Sequence, residues 1–217
     1  MDFNSVDLTM AIDVFLLLLI GIGPKIALVP FLELSAKMDE LTKEQVIRKM
    51  LRTASITAIL LMVFGGLLTK LLHFSTGALA IAGGIILLVI SLAMILSRGE
   101  GQTHHDTDSS VATDPLRLAV FPLAVPYLLN PAGIVTLVTV SAEAGSLGIF
   151  ALVLGLLAVV IGIDVVVFRW ARQVSAHLDA SRMLVTEKVF GFLLAALAVQ
   201  LMLEGLANVG VIHLVTH

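Results

Sequence analysis

Six stretches of near-continuous apolar residues, roughly 9–36, 53–72, 76–97, 117–140, 147–168 and 186–206, alternate with short polar connections. Each is close to the 20 or so residues that a helix needs to cross the hydrocarbon of a bilayer. The runs are continuous and do not alternate with polar positions, so they read as helices and not as strands of a membrane barrel. A helix closes its own backbone hydrogen bonds, which lipid cannot satisfy. The pattern predicts an all-α integral membrane protein with six transmembrane helices.

Composition agrees with that pattern. Of 217 residues, 59% are hydrophobic and 13% charged, and the mean hydropathy is +1.07. Soluble domains average about 25% charged residues. An ordinary soluble domain, a nucleic-acid binder and a disordered chain are excluded. Residues 1–8 carry Asp2 and Asp7 but no Lys or Arg, so the first run reads as a span and not as a cleaved signal. There is no cysteine, which removes disulfides, Cys–zinc sites and thiol catalysis. The net charge of −3 carries no information about charged partners.

The basic residues set the orientation. Lys37, Lys43, Arg48, Lys49 and Arg52 follow span one; Arg98 and Arg117 flank the connection after span three; Arg169, Arg172, Arg182 and Lys188 follow span five. All fall on one side, and Lys70 alone falls on the other. The basic side is expected to be cytoplasmic, with both termini outside. Residues 98–116 are a polar linker between a first three-helix repeat, 1–97, and a second, 117–217. An odd number of helices per half turns the second half upside down. Pro24 and Pro131 are 107 residues apart, and so are Gly84 and Gly191. The shared offset predicts two inverted three-helix repeats.

The same landmarks suggest a site. Proline inside a helix removes a hydrogen bond and clashes one turn back. Span one is expected to break at Gly21, Gly23 and Pro24, and span four at Asn130, Pro131 and Gly133. Paired breaks in inverted halves are the best sequence pointer to a transport site, and half-helix N-termini suit a carboxylate. Two ordinary proline kinks are the plainer alternative. Lys25 follows the first break directly. An ionisable group at this depth is paired or functional, with Asp13, Glu33 and Asp164 as candidate partners. Asp164 could instead pair with Arg169 at the interface, and Lys25 could belong to a buried structural ion pair.

Other polar positions read more simply. Thr113 and Asp114 before Pro115 look like a helix start. His104-His105-Asp106 lacks a second ligand cluster and reads as solvated loop. Ser91 and Gln200 suit interhelical hydrogen bonds, or cavity lining as the alternative. Glu204 lies near the outer end. Gly65-Gly66, Gly83-Gly84 and Gly191 allow close helix packing. No hydrolytic triad, phosphate loop or intramembrane protease motif is visible, so neither an enzyme nor a cofactor is expected.

The segments GIGPKIALVPFLEL, AIAGGIILLVISLAMI, AVFPLAVPYLLNPAGI and FGFLLAALAVQLMLEGL, in this order, resemble the MarC family of inner-membrane proteins. The resemblance spans nearly the whole chain. It implies a six-helix transporter of inverted repeats in a bacterial or archaeal inner membrane, with relatives linked to glycine and alanine transport driven by a cation gradient. The family's first break usually reads Asn-Pro-x-Gly-Asn, or Asp for the first Asn; here Gly23, Pro24, Lys25, Ile26 and Ala27 stand there. Its second usually reads Gly-Pro-Gly, against Asn130, Pro131 and Ala132 here. An acidic residue common late in span three is Ala93 here. The expected function is secondary transport of a small polar metabolite, foremost a small neutral amino acid, by alternating access, with H+ or Na+ as the coupling ion. Efflux of larger or amphipathic compounds and a non-transporting membrane scaffold stand as alternatives. Lipid and a small-molecule substrate are the expected partners, with no nucleic acid.

Overall fold

The computed structural model describes residues 8–35, 38–96, 114–143, 146–174 and 180–212. The elements are α1 (Leu8–Gly21), α2 (Pro24–Ser35), α3 (Glu40–Leu72), α4 (Thr76–Leu96), α5 (Pro115–Leu118) running into irregular helical turns at Ala119–Leu128, α6 (Pro131–Glu143), α7 (Leu147–Val174) and α8 (Ala180–Asn208). No strand occurs among the described residues. Five helical stretches are long and apolar enough to cross a membrane, and a sixth if the bent pair Pro115–Leu128 and Pro131–Ala142 forms one span. The chain folds as an all-α, multi-pass membrane protein.

The exterior is as apolar as the interior. Ile56, Ile59, Leu60, Val63, Phe64 and Leu67 of α3 are exposed. A continuous apolar face of this size is what lipid solvates and water does not. Buried positions of α7 recur at Ile149, Val153, Leu157, Val160, Asp164, Phe168 and Ala171. Those spacings of three and four residues trace one helix face, so Asp164 occupies a core position among aliphatic and aromatic neighbours.

Helix ends follow the sequence signals. Asp39 caps α3 by accepting the Thr42 amide at 3.4 Å; hydrogen bonding from the Thr42 side chain, reinforced by backbone amides, holds its carboxyl below the ordinary carboxylate range. Asp114 accepts the Leu116 amide at 2.9 Å, with Pro115 opening α5. The polar linker, Thr113 and His104-His105-Asp106 lie outside the described residues, apart from residues 114–116. Helix α3 starts at Glu40 and α8 at Ala180, well before their apolar runs. Their polar first turns continue the helix beyond the apolar stretch, which hydropathy alone cannot register.

The helices pack in a recurring pattern. Helix α4 packs on α8, α3 on α6, α7 and the 115–128 segment, α4 on α6, and α1 on α6 and α7. Helix α2 packs on the 115–128 segment, α7 and α8. If α1, α2, α3 and α4 are exchanged for the 115–128 segment, α6, α7 and α8, each of these contacts maps onto another or onto itself. The α4–α8 contact runs through glycines. A Cβ on Gly205 would come within 2.7 Å of the Gly77 carbonyl oxygen, and one on Gly84 within 2.8 Å of the Ala198 carbonyl oxygen. Gly205→Ala therefore destabilises the protein by about 1–3 kcal/mol through overpacking, to be read as a fall in the thermal unfolding midpoint in detergent.

On the end expected to be cytoplasmic, Arg172 of α7 meets Glu44 at 3.2 Å and Glu40 at 3.8 Å, tying α7 to α3. Lys188 of α8 donates to the Met94 carbonyl at the end of α4, at 2.7 Å. The first is a partly exposed pair of small energetic weight; the second satisfies a carbonyl that the helix end leaves open.

Candidate functional site: two interrupted helices joined by Asn130

Both expected interruptions are present. Helix α1 ends at Gly21 and α2 begins at Pro24; the irregular turns end at Leu128 and α6 begins at Pro131. Proline suits the first helical position because its missing N–H would be unpaired there anyway. The two breaks differ in shape. Residues 8–32 run on as a single span, whereas the second pair is bent by 68°.

The second break has a feature that the sequence does not advertise. Phe121 (φ −137°, ψ 125°) and Val125 (φ −136°, ψ 123°) are extended inside the helical turns. Each precedes a proline, Pro122 and Pro126, and a residue before proline is sterically driven out of the helical region. The four-residue spacing in FPLAVP was the available signal.

Asn130 joins the two breaks. It is fully buried. As the N-cap of α6 its Oδ1 accepts the Gly133 amide at 3.0 Å. Its Nδ2 donates to the Ile20 carbonyl at 2.8 Å, and its backbone N–H donates to the Gly21 carbonyl at 2.9 Å. One residue thus satisfies two open carbonyls at the end of α1 and one open amide at the start of α6. Gly21 and Gly133 lie backbone to backbone, so a Cβ on either would overlap the other. The negative end of α1 faces the positive end of α6, and the two partial charges compensate. In this packing the α6 N-terminus is occupied by Asn130, where the sequence suggested an open anion site.

Of the residues proposed for binding, Gly21, Asn130, Pro131 and Gly133 come together. Gly23 lies buried in the break between α1 and α2, where an added Cβ would overlap the Leu19 carbonyl oxygen. Pro24 is half-buried. Lys25 is exposed and makes no hydrogen bond or ion pair among the described residues. The expected pairing of Lys25 with Asp13 or Asp164 does not form. Asp13 is exposed, and Asp164 is fully buried with neither oxygen hydrogen-bonded among the described residues. Nor does Asp164 pair with Arg169: five residues along a helix is about 140° around it, and Arg169 points outward. The Glu33 side chain lies outside what the structure describes.

Ser91 and Gln200 also differ from expectation. The buried Ser91 hydroxyl donates within its own helix to the Leu88 carbonyl at 2.7 Å, because a serine in a helix can reach back to a carbonyl of the preceding turn. Gln200 is exposed and donates to Glu204 one turn on, at 2.9 Å. A cavity of about 210 Å³ lies elsewhere, walled by α4, the Val125-Pro126 turn and α6. Leu79, Gly83, Ile86, Pro126, Pro131 and Val135 are among its walls, and it has no polar side chain. Apart from Pro131, and Gly83 read only as a packing glycine, sequence reasoning missed these residues, since apolar residues in an apolar span carry no distinguishing mark. No cluster of three metal-ligating side chains exists among the described residues.

Residues 8–209 match the family model described as MarC family integral membrane protein. Similar proteins include a UPF0056 membrane protein of Methanocaldococcus jannaschii, 28% identical over 176 residues, or 81% of this chain and 85% of the relative. Another from Archaeoglobus fulgidus is 27% identical over 194 residues, or 89% of this chain and 91% of the relative. UPF0056 membrane protein YvbG of Bacillus subtilis is 29% identical over 146 residues, 67% of this chain and 69% of its own length. No solved structure matches. With nearly its whole length covered by one family model, this chain belongs to the MarC family of integral membrane proteins.

Proposed function

We propose that this protein is a secondary transporter that moves a small polar metabolite, foremost a small neutral amino acid, by alternating access. The observation that carries the reading is the Asn130 junction, where two interrupted helices from opposite halves of the chain meet through buried backbone groups. Interrupted helices at corresponding places in two halves are the recurring construction of transport sites. The exchangeable helix contacts support two inverted repeats of three spans each, six spans in all, rocking against one another. The charge bias supports an inner-membrane orientation with both termini outside. H+ or Na+ is the expected coupling ion.

In this reading the packed junction is the closed state. Opening separates α1 from α6 and frees the Ile20 and Gly21 carbonyls and the Gly133 amide for an amino acid's ammonium and carboxylate groups. One observation favours a second reading: the cavity beside Pro131 is walled by apolar side chains, which suits an amphipathic compound better than an amino acid.

Counterflow in proteoliposomes tests the proposal. Vesicles are loaded with a mixed pool of unlabelled amino acids, and labelled glycine, alanine, serine and threonine are added one at a time. Accumulation of one label, lost on Pro131→Ala, is the expected outcome. No exchange of any label by folded protein sets the amino-acid reading aside, and exchange of a labelled amphipathic amine in its place favours efflux.

A further inference from the structure

Asp164 is a carboxylic acid in a position built for a hydrocarbon side chain. It sits on the core stripe of α7 between Val160 and Phe168, and it is fully buried. One turn further on, Phe168 meets Phe31 of α2 edge-on, with ring centroids 5.5 Å apart. Neither carboxyl oxygen has a hydrogen-bond partner among the described residues. An ionised carboxylate without partners in such a place is prohibitively costly, and intramembrane acids are otherwise paired or functional.

We infer that Asp164 is a buried proton site: it carries a proton in this packing and releases it when α7 moves and opens it to water. As the element that couples transport to a proton gradient, it rests on the transporter reading above.

The surroundings favour a proton over a metal cation. Hard cations take about six or more oxygen ligands, and the partly or fully buried apolar residues Ala27, Phe31, Val160, Ile161, Val165 and Phe168 make up much of this part of the core. Among the described side chains, which do not include that of the acidic Glu33 of α2, the charged groups on the helices packed against α7 are engaged or directed elsewhere. On α1, Asp13 is exposed; on α2, Lys25 is exposed. On α3, Glu40 and Glu44 meet Arg172, Lys43 pairs with Glu40 at 2.9 Å, and Arg48 with Glu44 at 2.9 Å. Arg52 and Lys70 are exposed, and Lys49 is half-buried without a bond to Asp164. None of these supplies a counter-charge.

The proton balance is simple. A proton from water on one side binds a carboxylate oxygen of Asp164 while α7 is open to that side. The neutral acid then re-enters the core, and the proton leaves to water on the other side in the opposite state. The ionised form makes the closed passage only with a counter-charge in place of the proton; the ammonium of the transported amino acid supplies it, so one proton crosses in one direction for each substrate carried in the other. Helix α7 contacts both α1 and α2, which places this carboxyl in the helix flanking the first interruption.

Two measurements on wild type, Asp164→Asn and Asp164→Leu in lipid test the inference. Infrared spectroscopy at neutral pH reads protonated carboxyl groups directly, since exposed carboxylates are ionised there. A protonated-carboxyl band in wild type, absent from both variants, is expected. Its absence from wild type, or its persistence in both variants, overturns the proton site. Asp164→Leu guards against a folding artefact, because it refills the core position with an apolar side chain. Second, accumulation of the exchanging amino acid is driven by an imposed pH gradient. Asp164→Asn should retain counterflow and lose gradient-driven accumulation at least tenfold. Unchanged accumulation overturns the coupling role. If no label exchanges in wild type, the transport reading and the coupling role fall together, and the infrared band still decides whether Asp164 binds a proton.

Discussion

Asn130→Ala destabilises the protein by about 2–6 kcal/mol and abolishes counterflow. The substitution removes the acceptor for the Gly133 amide and the donor to the Ile20 carbonyl, both at a fully buried position. A buried backbone group left without a partner costs about 1–3 kcal/mol, and here there are two. The backbone bond from residue 130 to the Gly21 carbonyl survives, so the junction loosens but keeps its register. Denaturant unfolding in mixed micelles measures the loss. Asn130→Asp separates the two roles. It keeps an acceptor for Gly133 but sets a carboxylate oxygen against the Ile20 carbonyl, so it should be at least as damaging as alanine. A variant that is fully stable with Ala at 130 would show that the junction does not hold the fold.

Gly133→Ala has an effect of comparable size for a different reason. The added Cβ would lie 2.7 Å from the Gly21 carbonyl carbon and 3.0 Å from its Cα. Overpacking costs about 1–3 kcal/mol when side chains can give way. Here both sides of the contact are backbone, so the cost reaches about 3 kcal/mol or more, and α1 must move away from α6. Gly155→Ala is the matched control, because nothing lies within 4 Å of its added Cβ. It should change stability by no more than about 1 kcal/mol, in the stabilising direction, from helix propensity alone. Equal behaviour of the two alanines in thermal unfolding would remove the close approach as a determinant. If alternating access separates α1 from α6, Gly133→Ala also shifts the protein toward its open state, visible as faster labelling of a cysteine introduced at position 22.

Much of the architecture was legible in the residue pattern, and for one physical reason. Lipid allows few ways to satisfy a backbone, so length and hydropathy alone predict spans, and Pro24 and Pro131 mark interruptions that no uninterrupted helix could host. The Asp114 cap and the close contacts of Gly84 and Gly191 between α4 and α8 were legible as local requirements of geometry, whereas the Gly77–Gly205 contact was not singled out. The extended residues Phe121 and Val125 were written in FPLAVP but are recognised only if two prolines are read as a backbone constraint and not as apolar filler.

The sequence determined that this chain is an all-α membrane protein with two broken helices, because hydropathy and proline act on the backbone directly; the MarC resemblance rested separately on the order and wording of four segments. Tertiary structure alone decided which groups meet. It bonded Asn130 to Ile20 and Gly21 across 109 or more residues of chain, gave Ser91 a partner in its own helix, left Lys25 exposed, and enclosed Asp164 with no hydrogen-bond partner among the described residues. Contact and burial depend on how helix faces are rotated against one another, and in a uniformly apolar chain little in the local sequence fixes that rotation.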